Sequence, residues 1–170
     1  MERKEYISKN RNGFIISTVI ALALLVALIV VSQSLGLASS PKLHDDELQL
    51  YARNSVGVPI LVAIVALIAQ FIVKWSFFNK GNSAPGPKGL EKEGLLYIVI
   101  GIIAGVLMAG AWVYFQFFYL AAILTANGAA APVSFPLLPV IVLIALVILI
   151  VNMVLCRRTF RAYIFRSGLK

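Results

Sequence analysis

The chain has 170 residues, 61% hydrophobic and 13% charged, with a formal net charge of +8 at pH 7 and a mean hydropathy of +0.94. A soluble domain carries about 45–50% apolar and about 25% charged residues, and a domain this short has too little interior to hide the excess. Composition therefore excludes an ordinary soluble domain and points to lipid. The positive balance does not point to nucleic acid, because the cations flank apolar runs instead of forming a stripe on a folded surface.

Residues 1–13 are polar and carry Arg3, Lys4, Lys9 and Arg11. No further charge appears before Lys42, so the stretch 14–35 is long enough to cross a hydrocarbon core that needs about 20 residues. A basic start before an apolar run also resembles a signal peptide, with Gly36-Leu37-Ala38 as a cleavage site. The run exceeds the roughly 7–15 residues of a signal core, which favours an uncleaved first span.

The next segment predicts a short amphipathic helix in the first outside loop. Ser40-Pro41 is a hydroxyl cap followed by proline at the first helical position. Asp45, Asp46 and Glu47 follow where the helix dipole favours negative charge. This helix is expected to end near Gly57. His44 beside these carboxylates is the one histidine of the chain, too little for a bis-histidine haem site or a selective metal site.

A second span is expected over 58–73, with Pro59 in its first turn and Lys74, Trp75, Phe77 and Phe78 marking the interface. Residues 74–93, with several glycines and prolines, read as a flexible inside loop that holds Lys80, Lys88 and Lys92. From Gly94 to Cys156 there are 63 residues without a charge. They hold two spans, 95–120 and 135–155, split by a turn at Asn127-Gly128. The tail 157–170 is basic again, with aromatic residues interleaved among its arginines.

The reading is an all-α integral membrane protein, a four-transmembrane-helix bundle forming one domain over 1–170. Thirteen of the fifteen Lys and Arg fall in stretches that this hydropathy places on one side, and Lys42 and Arg53 on the other. That is the positive-inside pattern, and it puts both termini in the cytoplasm of a plasma membrane. A weak echo relates Val56–Leu61 to Val133–Leu138, as two copies of one helical hairpin would.

The polar residues within the spans are mild: Ser17, Thr18, Ser32, Gln33, Gln70, Gln116 and Asn152. No span as delimited above contains an ionisable group, which argues against a proton-coupled carrier or a voltage sensor. Gln70 and Gln116 suit hydrogen bonding between helices, and Gly101, Gly105 and Ala109 form a small-residue stripe for close helix packing, within the bundle or with a partner. Trp112, Tyr114, Phe115, Phe117, Phe118 and Tyr119 crowd one part of the third span as an aromatic interface belt. Arg157, Arg158, Arg161 and Arg166 suit contact with anionic lipid. Cys156 stands alone, so no internal disulfide is possible.

Catalytic constellations, phosphate loops and metal-ligand spacings are missing, and no cofactor is implied. The expected role is a non-catalytic interaction protein. It would be an accessory subunit of a larger membrane complex or an immunity-type partner, in contact with lipid and with another integral membrane protein. The alternatives are a small oligomeric channel or transporter lined by Gln70, Gln116 and Asn152, and a subunit lending apolar surface to a pigment or quinone site.

Overall fold

The computed structural model describes residues 3–38, 46–79, 87–126 and 137–166. All of them are helical. They form α1 (Arg3–Ala38), α2 (Asp46–Asn79), α3 (Pro87–Val113), a π-helical segment (Tyr114–Tyr119), α4 (Leu120–Ala126) and α5 (Leu137–Arg166). α3, the π segment and α4 are contiguous, so the described chain makes four columns.

At 1.5 Å per residue the 36 residues of α1 extend about 54 Å and the 34 of α2 about 51 Å, well beyond a hydrocarbon core of about 30 Å. The apolar stretches inside these columns are Arg11–Ser32, Arg53–Trp75 and Leu95–Ala122, each long enough to cross a membrane. α5 contributes the shorter apolar stretch Pro139–Leu155.

Neighbouring columns run antiparallel. The seven residues 39–45 reach at most about 28 Å when extended, too little to return along α1, so α2 must turn back beside it. Gln70, late in α2, meets Tyr97, early in α3, while Tyr51 at the start of α2 meets Gln116 in the π segment. Gly101 faces Met153 and Gly105 faces Leu146, which sets α5 antiparallel to α3. The start of α1, the end of α2, the start of α3 and the end of α5 therefore share one end of the bundle, here called the basic end. The π segment marks the opposite, aromatic end.

The core is built from small and medium residues: Ala21 and Leu25 on α1, Ile60, Ala63 and Leu67 on α2, Ala104 and Met108 on α3, Ala145 and Leu149 on α5. Alanines at these positions let the backbones approach, which is how helices gain packing energy when lipid removes the hydrophobic drive. The outside is apolar on every column. Val19 and Leu24, Leu61 and Val65, Ile102 and Val106, Leu143 and Val147 are all exposed. A continuous apolar exterior around a packed interior is the pattern of a protein solvated by lipid.

Two expectations are changed by the structure, the separate surface helix and the loop over 74–93. No separate surface helix lies before the second span among the described residues, because α2 passes from Asp46 through Gly57 and Pro59 without a break. Tyr51 explains this. Its ring is fully buried against the π segment, which holds 46–55 in line with the rest of α2. A helical glycine costs about 1 kcal/mol, which the Tyr51 contacts with Tyr119 and Gln116 together offset. Pro59 removes the donor for the carbonyl of Ser55, a buried hydroxyl residue of the kind that helps membrane helices tolerate proline.

The expected loop over 74–93 shrinks from both sides, since α2 runs to Asn79 and α3 starts at Pro87, a residue suited to the first turn. Past residue 155, α5 continues as helix through Arg157, Arg158 and Arg161 to Arg166. Ser40, Pro41, His44, Asp45 and the turn at Asn127-Gly128 lie outside the described residues.

Candidate functional site

The polar side chains of the interior gather at two depths. Near the basic end, Gln70 of α2 donates from Nε2 to the Tyr97 carbonyl of α3 at 3.0 Å. Asn152 of α5 donates from Nδ2 to the Tyr97 hydroxyl at 3.1 Å, and that hydroxyl donates to the Asn152 carbonyl at 3.5 Å. Because α1 and α2 run antiparallel, the turn after Phe14 and the turn before Lys74 lie at one depth, and they carry Thr18 and Gln70. Each of four columns thus places one polar residue in a single layer: Thr18 (2% exposed), Gln70 (1%), Tyr97 (1%) and Asn152 (5%).

Glycine makes the layer possible. A Cβ on Gly101 would lie 2.6 Å from Met153 Sδ and 3.0 Å from Gln70 Nε2. Only a residue without a side chain leaves room there for the amide of Gln70. Gly105 is less demanding, since a Cβ would meet Leu146 at an ordinary 3.6 Å, and Ala109 is exposed. Of the small-residue stripe, the two glycines pack within the bundle and the alanine faces out.

One turn toward the basic end, Lys74 is buried with its ammonium 3.9 Å from the centre of the Phe14 ring. Phe14 stacks on Phe71 at 5.3 Å, and Phe71 on Trp75 at 5.7 Å, which extends the ring contact of Lys74 into an aromatic row. A ring face can return about 2 kcal/mol to a desolvated cation. Lys74 therefore differs from a simple interface marker: it is the one buried lysine among the described side chains, and it falls inside the apolar stretch that ends at Trp75.

The aromatic end is organised differently. Tyr114-Phe115-Gln116-Phe117-Phe118-Tyr119 forms a π helix, confirmed by the Leu120 N–H, which bonds the Phe115 carbonyl five residues back. π geometry is rare and concentrates at functional sites. Here the segment carries five rings in six residues. Phe115 meets Tyr119 edge-on at 5.5 Å, and Tyr114 stacks on Phe118 at 6.3 Å.

The segment is tied to α2 by Tyr51, whose hydroxyl donates to Gln116 Oε1 at 2.8 Å and whose ring stacks on Tyr119 at 6.4 Å. Burial pushes the Tyr51 phenol above its ordinary pKa of 10.0, since the charged form would lose its water. Trp112 and Tyr119 pack against the core, while Tyr114, Phe117 and Phe118 are exposed, the last two by 63% and 66%.

Gln70 and Gln116, read together in the sequence as polar groups of the spans, thus belong to opposite ends. Sequence reasoning missed Tyr97, Tyr51 and the burial of Lys74. A depth register would have found the layer: Thr18, Gln70, Tyr97 and Asn152 each lie within two turns of a basic residue on their own column, Arg11, Lys74, Lys92 and Arg157.

Fold and site together define an all-helical membrane protein with at least three apolar helices long enough to span a bilayer. No protein-family model matches the chain, and no curated protein or solved structure is significantly similar to it.

Proposed function

We propose that the protein is a four-span subunit of the cytoplasmic membrane, with both ends in the cytoplasm, that acts by binding another integral membrane protein through its aromatic end. The fourth crossing is Pro139–Leu155, about 25 Å of helix, which meets the core thickness once the flanking turns are added. Orientation follows from charge, because the end shared by Arg3, Lys4, Lys9, Arg11, Lys88, Lys92 and the arginines of α5 is the one that the positive-inside rule keeps in the cytoplasm.

The observation that carries the functional reading is the division of chemistry between interior and surface. Polar groups capable of specific work point inward and bond one another, whereas Tyr114, Phe117 and Phe118 project outward from a π-distorted helix. Rings held on a fixed, non-α geometry make a shaped surface, which a partner helix can recognise and which lipid tails do not need. Gln70 and Asn152 lie inside one protomer and bond Tyr97, which weighs against a path lined by them between protomers.

Photo-crosslinking in the native membrane tests the reading. A photoreactive residue at Phe117 or Phe118 is expected to yield a discrete protein adduct, while the same probe at exposed Val65 of α2 yields lipid adducts alone. Lipid adducts at all three positions would overturn it.

A further inference from the structure

Two buried side-chain atoms in the polar layer have no hydrogen-bond partner among the described residues: Thr18 Oγ1 and Gln70 Oε1. Both belong to residues at least 98% buried, on facing turns of α1 and α2. Such a group in a lipid-solvated protein carries the full penalty of desolvation, so a pair at one depth asks for a shared partner. From these atoms we infer that the seam between α1 and α2 is a binding site for one internal water molecule, held between Thr18 and Gln70.

The donor and acceptor chemistry selects water. Gln70 gives its Nε2 to the Tyr97 carbonyl, which fixes the amide and leaves Oε1 as a pure acceptor. Thr18 offers a hydroxyl that can donate or accept. A water donates to Gln70 Oε1, accepts from the Thr18 hydroxyl and keeps one O–H for a further acceptor, close to the roughly three bonds a buried water makes. An anion is disfavoured by the lone pairs of Oε1. A metal cation is disfavoured by the Lys74 ammonium one turn away.

The orientation of Thr18 is informative beside its neighbours. Ser17, Ser32 and Ser34 on the same helix turn back on their own backbone, bonding the carbonyls of Phe14, Ile29 and Val30 at 3.0, 2.7 and 3.1 Å. This local bond is the usual choice for a helical hydroxyl. Thr18 does not make it. The seam lies near the basic end, within two turns of Arg11 and next to Lys74, so the path from bulk water is short. Farther in, Leu25, Leu67 and Leu149 close the interior, and the water goes no deeper.

Water-edited solid-state NMR on the full chain in liposomes tests this directly, with threonine, glutamine and leucine labelled. Magnetisation from water is expected to reach the Thr18 and Gln70 side chains about as fast as exposed Thr125. Build-up as slow as that of Leu25 and Leu67 would overturn the site. A double-variant cycle adds an independent measure. Thr18→Val is expected to lower the unfolding midpoint, and combining it with Gln70→Met to lower it by less than the two single shifts together. If the two hydroxyl and amide groups shared no water, Thr18→Val would raise the midpoint by removing an orphan, and the shifts would add.

Discussion

The two ends of this bundle solve the same problem in opposite ways. At the basic end, four columns each contribute one polar residue, and glycine brings the backbones close enough for those groups to meet inside. At the aromatic end, one short segment carries most of the chemistry, one hydrogen bond from Tyr51 to Gln116 ties it to α2, and much of the ring surface faces out. The first arrangement fixes how the helices pack. The second leaves a shaped exterior. In lipid, where apolar burial does not distinguish one helix partner from another, specificity inside the bundle must come from close packing and hydrogen bonds, and the basic end holds most of both.

Variants can break or sharpen this contrast. The largest loss is expected from Gly101→Val, which drives a side chain into Met153 and Gln70 and splits the layer. Overpacking of this kind costs about 1–3 kcal/mol, and the lost Gln70 bond adds to it. Gly110→Val is its control, because a Cβ there meets nothing within 4 Å. Unfolding in mixed micelles should separate the two clearly, and equal midpoints would dissolve the role given to glycine.

Next comes Tyr97→Phe, which deletes the hydroxyl that accepts from Asn152 and leaves the Asn152 amide without that bond, at about 1 kcal/mol. The same assay measures it, and an unchanged midpoint would mean that the Tyr97–Asn152 pair contributes nothing.

Tyr51→Phe is a smaller test, aimed at the other end. It keeps the stacked ring and removes one bond, for about 0.6 kcal/mol. Amide exchange should accelerate in the π segment and stay unchanged around Tyr97. The phenol also gives a pH signature. Its folded pKa lies above the unfolded value of 10.0, so the contribution is complete below pH 10 and is lost as pH rises through the folded value. Tyr51→Phe should abolish that dependence. The smallest effect on stability is expected from Phe117→Leu, since the ring is mostly exposed. That variant should leave unfolding unchanged while weakening capture of the proposed partner.

Much of the fold could be read from residue order. The apolar runs and the charges between them locate the apolar stretches inside the columns within a few residues, because lipid demands continuous apolar helix and permits few alternatives. The helix ends were less legible. Gly57 and Pro59 look like a break in isolation, and only the burial of Tyr51 against a segment 65 residues later overrides them. The site was legible in part. Gln70, Gln116, Gly101 and the aromatic run stood out as residues unusual for a span. Their division between two ends did not, since it depends on depth, and Tyr97 and Tyr51 carry no signal of their own in a chain with six tyrosines. The π turn has no simple periodic signature, as it is a single local departure from a 3.6-residue repeat.

The central claim is the proposed topology: four crossings that turn their polar groups inward and return both ends of the chain to one side, leaving the exposed rings of the aromatic end to a partner. Reporter fusions at Met1 and Lys170 test it most directly, using one reporter active only in the cytoplasm and one active only outside. The account predicts cytoplasmic signals from both positions. Signals from opposite compartments would contradict it, because α5 would then not cross and the layer joining Asn152 to Tyr97 could not lie within the membrane.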